Sequence, residues 1–279
     1  MRFLLSILFA ILMIPFSISN AQISNFSIPG SNGQLVGILQ TPDNLSEFPL
    51  VIISHGFTSE KNFELLTTLS DELESRGIAT IRFDFDGHGE SGGDFQAMTV
   101  PKEIEDLKTI YKYATSIEGV TSISLAGHSQ GGVVTSMVAG DLGKKKIRSI
   151  ALLAPAAILR EDAIRGMAFG ETCDPLDPPE YVEIVRPHGS FKIGRDYILT
   201  SQTLPIFETA EKYRGDVCII HGTGDRIVPY TMSMHYNHVF KNSELHLIPR
   251  EDHSFRGDMQ GAAKIAADFF EKKLSKVRN

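Results

Sequence analysis

Short apolar runs rich in β-branched residues alternate along this chain with stretches whose apolar residues recur every three to four positions. Leu50 to Ser54, Ile78 to Phe83, Val120 to Leu125, Ile147 to Leu153 and Val217 to Ile220 are continuous enough to be strands covered on both faces. Glu244 to Pro249 adds a further strand. Between these runs, Glu60 to Ser75 sets Phe63, Leu66, Leu69 and Leu73 at helical spacing and stops at Arg76-Gly77, a C-terminal glycine cap. Pro101 to Ser116 predicts an amphipathic helix with Ile104, Leu107 and Tyr111 inside and Lys102, Glu103, Glu105 and Lys108 outside. Met232 to Phe240 and Met259 to Leu274 predict two more helices. The opening departs from this rhythm, because Ile23 to Ile28 and Gln34 to Gln40 alternate loosely around Pro29-Gly30-Ser31-Asn32-Gly33 and predict a hairpin. The expectation is an α/β fold with a mostly parallel eight-stranded sheet flanked by helices.

The rhythm breaks between the sixth and seventh strands. From about 156 to 213 the chain carries Pro175, Pro178, Pro179, Pro187 and Pro205 with scattered acids and apolar residues. That is too long for an ordinary connection, and such insertions commonly cover a site, so a cap is expected there. At the other end, Met1-Arg2, an apolar run from Phe3 to Phe16 and the small residues Ser19 and Ala21 predict a signal peptide over 1–21, followed by one domain over 22–279. The run contains Pro15 and is shorter than a membrane span needs, which argues against a stable anchor and for export to a periplasm or the medium.

Loss of Arg2 takes the net charge from −7 to −8, so no basic surface for nucleic acid is expected. Of two cysteines, Cys218 lies in a strand as a small core residue and Cys173 in irregular chain; two free thiols are expected. Neither H-E-x-x-H nor paired C-x-x-C occurs, so the sequence points to no metal and no cofactor. Oligomeric state, a homodimer included, is left open.

The candidate chemistry centres on Gly127-His128-Ser129-Gln130-Gly131, which lies between a predicted strand and a predicted helix. A strand, a sharp turn and a helix in that order raise a serine above the sheet edge, and Ser129 is the candidate nucleophile. Asp225, in a turn after the seventh strand, can orient a histidine, and His253, just past the eighth strand, can face the serine. Asp252 and Asp216 are rival acids, and His246 reads as an alternating strand residue. His55-Gly56-Phe57 follows another strand, so the backbone N–H groups of Phe57 and Gln130 are the candidate oxyanion donors, with His55 itself a packing residue. Asp84 and His88, in the loop Asp84 to Gly93, read as loop-folding residues.

With these motifs placed, the chain resembles the α/β-hydrolase superfamily and, more narrowly, the bacterial cinnamoyl (feruloyl) esterases. The likeness is carried by H-G-F-T at 55 to 58, R-F-D-F-D-G-H-G-E-S at 82 to 91, M-T-V at 98 to 100 and G-H-S-Q-G-G-V-V at 127 to 134. L-L-A-P-A-A at 152 to 157, L-P-I-F-E at 204 to 208, I-H-G-T-G-D at 220 to 225 and L-H-L-I at 245 to 248 add to it. The cap middle, Thr172 to Gly194, departs from the family pattern. The resemblance implies an exported serine carboxylesterase acting on hydroxycinnamate esters of plant cell wall polysaccharide or on small esters. It also implies that Asp162 and Tyr197 bind the phenolic hydroxyl of the substrate; the residues alone equally allow Asp162 to cap a helix starting at Ala163 and Tyr197 to pack within the cap. A lipase, peptidase or acyltransferase on the same scaffold is the alternative, and a non-catalytic binding protein a remote one.

Overall fold

The computed structural model describes residues 22–30, 32–43, 45–186 and 189–274; the expected signal peptide lies outside them. In chain order the first half comprises β1 (Gln22–Pro29), β2 (Gln34–Thr41), β3 (Phe48–Ser54), α1 (Glu64–Glu74), β4 (Ala79–Phe83), α2 (Val100–Ala114), β5 (Val120–His128), α3 (Gln130–Leu142) and β6 (Ser149–Leu153). An inserted region follows, made of α4 (Leu159–Ile164), β7 (Met167–Ala168), β8 (Glu171–Thr172), β9 (Tyr181–Arg186), β10 (Gly189–Gly194), α5 (Arg195–Gln202) and α6 (Ile206–Ala210). The chain then returns through β11 (Asp216–Gly222), α7 (Thr231–Val239), β12 (Ser243–Ile248) and α8 (Met259–Leu274).

Eight strands form one sheet in the order β1-β2-β4-β3-β5-β6-β11-β12. The β1–β2 and β2–β4 pairs are antiparallel and every other pair is parallel. Alternate residues of each central strand feed two cores. Leu50, Ile52, Leu125, Ile150 and Leu152 pack towards α2 and α3. Val51, Ile53, Ala126, Ala151 and Ile220 pack towards α1 and α8. Such two-sided burial is why these strands read as unbroken apolar runs. Helix α3 lies wholly under cover from Gln130 to Ala139, and its sequence accordingly shows little amphipathic segregation.

From β3 the chain runs outward to β4 and then crosses back to β5 on the other side of β3. Strand order reverses there, and the carboxyl ends of β3 and β5 flank the crevice where open α/β sheets place their ligands. Two predicted boundaries move. Helix α1 starts at Glu64 rather than Glu60, because the Lys61 backbone N–H donates to Asp84 Oδ1 at 2.6 Å instead of entering a helix. Glu103, expected on the outer face of α2, is 2% exposed. It shares a face with Leu107 and Ile110, which follow it at i+4 and i+7.

Candidate active site

At the end of β5 the backbone turns at Ser129 with φ 55° and ψ −122°, a conformation costly for a residue with a side chain. Glycines make the turn feasible. A Cβ at Gly127 would lie 2.2 Å from the Gly131 carbonyl oxygen, and one at Gly131 would lie 2.2 Å from that of His55. Main-chain bonds lock the turn to the end of β6: the Ser129 N–H donates to the Leu153 carbonyl at 2.9 Å and the Ala156 N–H to the Ser129 carbonyl at 3.0 Å.

The turns after β11 and β12 are tied to each other. The Gly224 N–H donates to the Glu251 carbonyl at 2.9 Å, and the Arg250 N–H to Thr223 Oγ1 at 2.9 Å. This seam brings Asp225 and His253 together with 2.7 Å between Asp225 Oδ2 and His253 Nδ1. The Asp225 carboxylate is wholly buried and fully used, since Oδ1 accepts from the Ile227 and Val228 N–H groups and Oδ2 also faces His221 Nε2 at 3.0 Å. Burial alone would raise its pKa, but the bonds from His221 and His253 outweigh that and hold it well below the usual carboxylate range. An ionised Asp225 keeps the proton on His253 Nδ1 and leaves Nε2 as the basic nitrogen.

The rival acids are committed elsewhere. Asp252 Oδ1 accepts from the Ser254 and Arg256 N–H groups of its own turn, and Asp216 pairs with Lys273 at 2.6 Å. His246 lies within β12 and faces Glu244. Asp84 folds its loop by accepting from the Lys61 ammonium at 2.6 Å and the Glu90 N–H at 2.9 Å, and the His88 ring sits against the Asp86 carbonyl in the same loop.

Gly56 abuts the candidate nucleophile: a Cβ there would lie 2.9 Å from that of Ser129. The turn after β3 therefore runs directly beside Ser129. Phe57 is in this turn, and no turn or loop hydrogen bond among the described residues uses its N–H. Gln130 is the first residue of α3, where a backbone N–H has no intrahelical acceptor. Two donors are thus available on either side of Ser129. The His55 ring joins the loops rather than reaching the site, with Nδ1 on the Gly56 carbonyl at 2.8 Å and Nε2 accepting from the Phe85 N–H at 3.1 Å.

Ser129 opens into a cavity of about 690 Å³ whose other walls come from α4, the β7–β8 hairpin, β9, α5 and the turn after β11. Asp162 and Tyr197 both line it. Asp162 does not cap a helix, because α4 begins three residues earlier, at Leu159. Burial raises the pKa of its carboxyl, with Arg165 opposing. Tyr197 is 3% exposed and its hydroxyl donates to Gln130 Oε1 at 2.8 Å, so that proton already has an acceptor.

The fold agrees with that of known proteins. A family model described as "Serine aminopeptidase, S33" matches residues 47–172. The chain is 30% identical to Est1E from Butyrivibrio proteoclasticus, solved with ferulic acid bound, at a TM-score of 0.85 over 90% of this chain and 99% of that one. The chain belongs to the α/β-hydrolase superfamily. A second Est1E structure matches this hydrolase at 28% identity, with a TM-score of 0.81 over 90% of this chain and 99% of that one. An uncharacterized 31.7 kDa protein of Escherichia coli shares 33% identity over 95 residues, and the hydrolase spans only 33% of the length of that curated relative. The resemblance to cinnamoyl esterases drawn from the motifs is thus supported over nearly the whole described chain.

Three further residues of the hydrolase join this site through contacts that the sequence motifs do not announce. His221 bonds Asp225 and is itself held by Ser233 Oγ at 2.7 Å from its Nδ1. The His128 ring, next to the nucleophile, donates from Nε2 to the His253 carbonyl at 2.8 Å and so fixes the backbone that carries the candidate base. Burial, then the nearby His253, lowers the His128 pKa to about 3, which keeps its ring neutral. Glu103 accepts from Gln130 Nε2 at 2.9 and 2.8 Å, completing a buried chain Tyr197–Gln130–Glu103 from the cap to the residue after Ser129. Glu103 at i−4 from Leu107 is the available signal for its burial, and His221 lies four residues before Asp225 within I-H-G-T-G-D; the remaining links join residues too distant in sequence to share a pattern.

Among the described residues, one trio lies close enough together to hold a metal ion: Cys218, Glu244 and His246, within 4.8 Å of one another. Burial pushes the Cys218 thiol up, away from the thiolate a metal requires, and His246 already faces Glu244 at 3.1 Å. Both cysteines are free thiols.

Proposed function

We propose that this hydrolase is a serine carboxylesterase that cleaves hydroxycinnamate esters, feruloyl and p-coumaroyl among them, through an acyl-enzyme. The observation that carries the reading is the Asp225–His253 pair of 2.7 Å, bonded through the His253 carbonyl to His128 next to the elbow serine, which itself opens into the cavity lined by Asp162. In the proposed reaction Ser129 Oγ attacks the ester carbonyl carbon as His253 Nε2 takes its proton. The carbonyl π pair moves to oxygen, where the Phe57 and Gln130 N–H groups receive it. Collapse breaks the bond to the alcohol oxygen, which leaves with the proton from His253. Water then adds to the acyl-enzyme by the same route, and Ser129 recovers its proton as the carboxylic acid departs. Every step uses groups of the chain and water.

Asp162 would read the acyl group. Its carboxylate accepts no hydrogen bond from the described residues, and a buried phenol O–H donating to a carboxylate forms a charge-assisted bond worth about 1.5 to 3 kcal/mol. Tyr197 donates its proton to Gln130 and would contribute a lone pair and a ring face. Est1E with its bound ferulic acid supports this assignment as a likeness. A peptidase reading draws on the description of the matching family model. Turnover of methyl ferulate, tributyrin and an aminoacyl anilide separates the readings. The esterase reading expects methyl ferulate to be favoured by about ten-fold or more in kcat/KM, and preference for the anilide would overturn it.

We also propose export, on the signal-peptide pattern over 1–21. N-terminal sequencing of protein recovered from the periplasm or medium should begin at Gln22; a retained Met1 would refute this.

A further inference from the structure

The cavity that holds Ser129 is lined by Arg165, Arg186 and Arg226 and by a single acid, Asp162. Three arginines against one aspartate leave a surplus of two positive charges in the lining of a protein whose net charge is −7. None of the three lies within ion-pair distance of a carboxylate among the described residues, although Arg165 is close enough to Asp162 to oppose the rise in its pKa. The three come from separate elements: the C-terminal end of α4, the end of β9 and the turn after β11. A helix-terminus preference for cations would account for Arg165 alone.

Arg186 is also held in place. It is half-buried, with Nη2 donating to the Phe169 carbonyl at 2.9 Å and Nη1 to the Val185 carbonyl at 3.2 Å. The Phe169 ring in turn stacks on Phe57, with centroids 3.6 Å apart. A guanidinium anchored this way keeps its remaining N–H groups for a partner and loses little freedom on binding one. Arg165 and Arg226 are exposed, and the rest of the lining is largely apolar, including Ile158, Leu159, Ile227 and Val228. An apolar pocket ringed by unpaired guanidinium groups suits a ligand with an apolar body and an ionised carboxylate.

We propose that the cavity selects esters that carry a second, ionised carboxylate, bound by Arg165, Arg186 and Arg226 while Ser129 acts on the ester carbon. The inference rests on the esterase reading above but not on the hydroxycinnamate acyl group. The carboxylate can stand on the acyl or on the alcohol side of the scissile bond, and two substrates separate these sources. Monoethyl succinate carries it on the acyl side, butyryl glycolate carries it on the alcohol side, and ethyl butyrate is the neutral reference.

For at least one of the anionic esters, kcat/KM at low ionic strength should exceed that of ethyl butyrate by about ten-fold, and the ratio should fall towards one in 0.5 M salt. R165Q and R226Q, both at exposed positions, should each lower the ratio about three-fold or more, with Tm unchanged. R186Q should lower it further, and R186K, which keeps the charge without the planar fork, should restore part of the loss. Equal or slower turnover of both anionic esters, or ratios that ignore the arginine variants, would overturn the inference while leaving the esterase reading standing. Failure of the esterase reading would show itself differently, as no turnover of any ester, methyl ferulate included, and would remove both.

Discussion

The cavity has two walls built on different principles. The wall formed by the strand ends of β5, β6 and β11, with the turns after β3 and β12 packed behind it, is fixed by main-chain bonds and buried polar pairs, and each of Ser129, Asp225 and His253 is held by a neighbouring loop that is itself held. The cap wall consists of short helices and the separate two-stranded pieces β7–β8 and β9–β10. It meets the main sheet side mainly through side chains, Phe169 on Phe57 and Tyr197 on Gln130, with one close backbone approach where a Cβ at Gly194 would lie 2.4 Å from the Gln96 carbonyl. A rigid wall suits groups that must keep their geometry through a reaction, and a wall held by side chains can change what it recognises without disturbing them. Damage to the first should therefore depress turnover of every ester, and damage to the second should change the ranking of esters.

The largest test of that division is Ser129→Ala, which should cut ester hydrolysis by about 10⁴ to 10⁶ while the unfolding midpoint holds. A fluorophosphonate that labels the wild type at any other residue would place the chemistry elsewhere. Next come Asp225→Ala, His253→Ala and the double variant. Since Asp225 acts only through His253, the double loss should barely exceed the larger single loss, and additive losses would mean that the two do not act as one unit.

Asp162→Asn probes the cap wall. It should lower kcat/KM about ten- to a hundred-fold for methyl ferulate and methyl p-coumarate, the loss of one charge-assisted bond, and much less for methyl cinnamate and ethyl butyrate. Equal losses on all four would merge the two walls into one function.

The smallest effect concerns proton uptake behind the strand-end wall. His128 has a folded pKa of about 3, below the usual 6.5, so its contribution to stability is complete above pH 6.5 and is lost as pH falls towards about 3. Asp106, raised to about 6 chiefly by burial, has the opposite sign: its ionisation destabilises the fold as pH rises from about 3.8 to about 6. Comparison with His128→Gln, whose amide can still donate to the His253 carbonyl, isolates the first term. Between pH 7 and pH 5 the wild type should lose about 2 kcal/mol more than the variant in urea unfolding. Parallel pH profiles would mean that His128 is not held neutral.

The same two walls differ in how far the sequence discloses them. The central strands of the main sheet are buried on both faces, and each candidate residue lies within a few positions of a strand end, so an apolar run followed by Gly-His-Ser or His-Gly-Thr-Gly-Asp locates Ser129 and Asp225, and the turn after the edge strand β12 carries His253. Ser129, Asp225 and His253 are legible for that reason. The cap is held by packing between distant residues. Strand β9 does alternate, with Val182 and Ile184 buried between exposed neighbours, but the prolines before it obscure so short a pattern. The contact of Tyr197 with Gln130 has no local signature at all, and the free carboxylate of Asp162 emerges only once α4 is seen to start at Leu159.

The pairing of β6 with β11 bears on how the protein acquires activity as it folds. Strand β6 carries the contacts that lock the Ser129 turn, whereas Asp225 and His253 lie beyond β11, and the whole cap intervenes between the two strands. Closing so long a loop carries an entropic cost that parallel strand pairing recovers only after the ends have met, which makes such steps slow. A ribosome releases the Ser129 half of the molecule well before the His253 half exists. Newly made chains should therefore gain compactness before they gain any turnover, and the delay between the two in a refolding experiment would time the docking of β11 against β6.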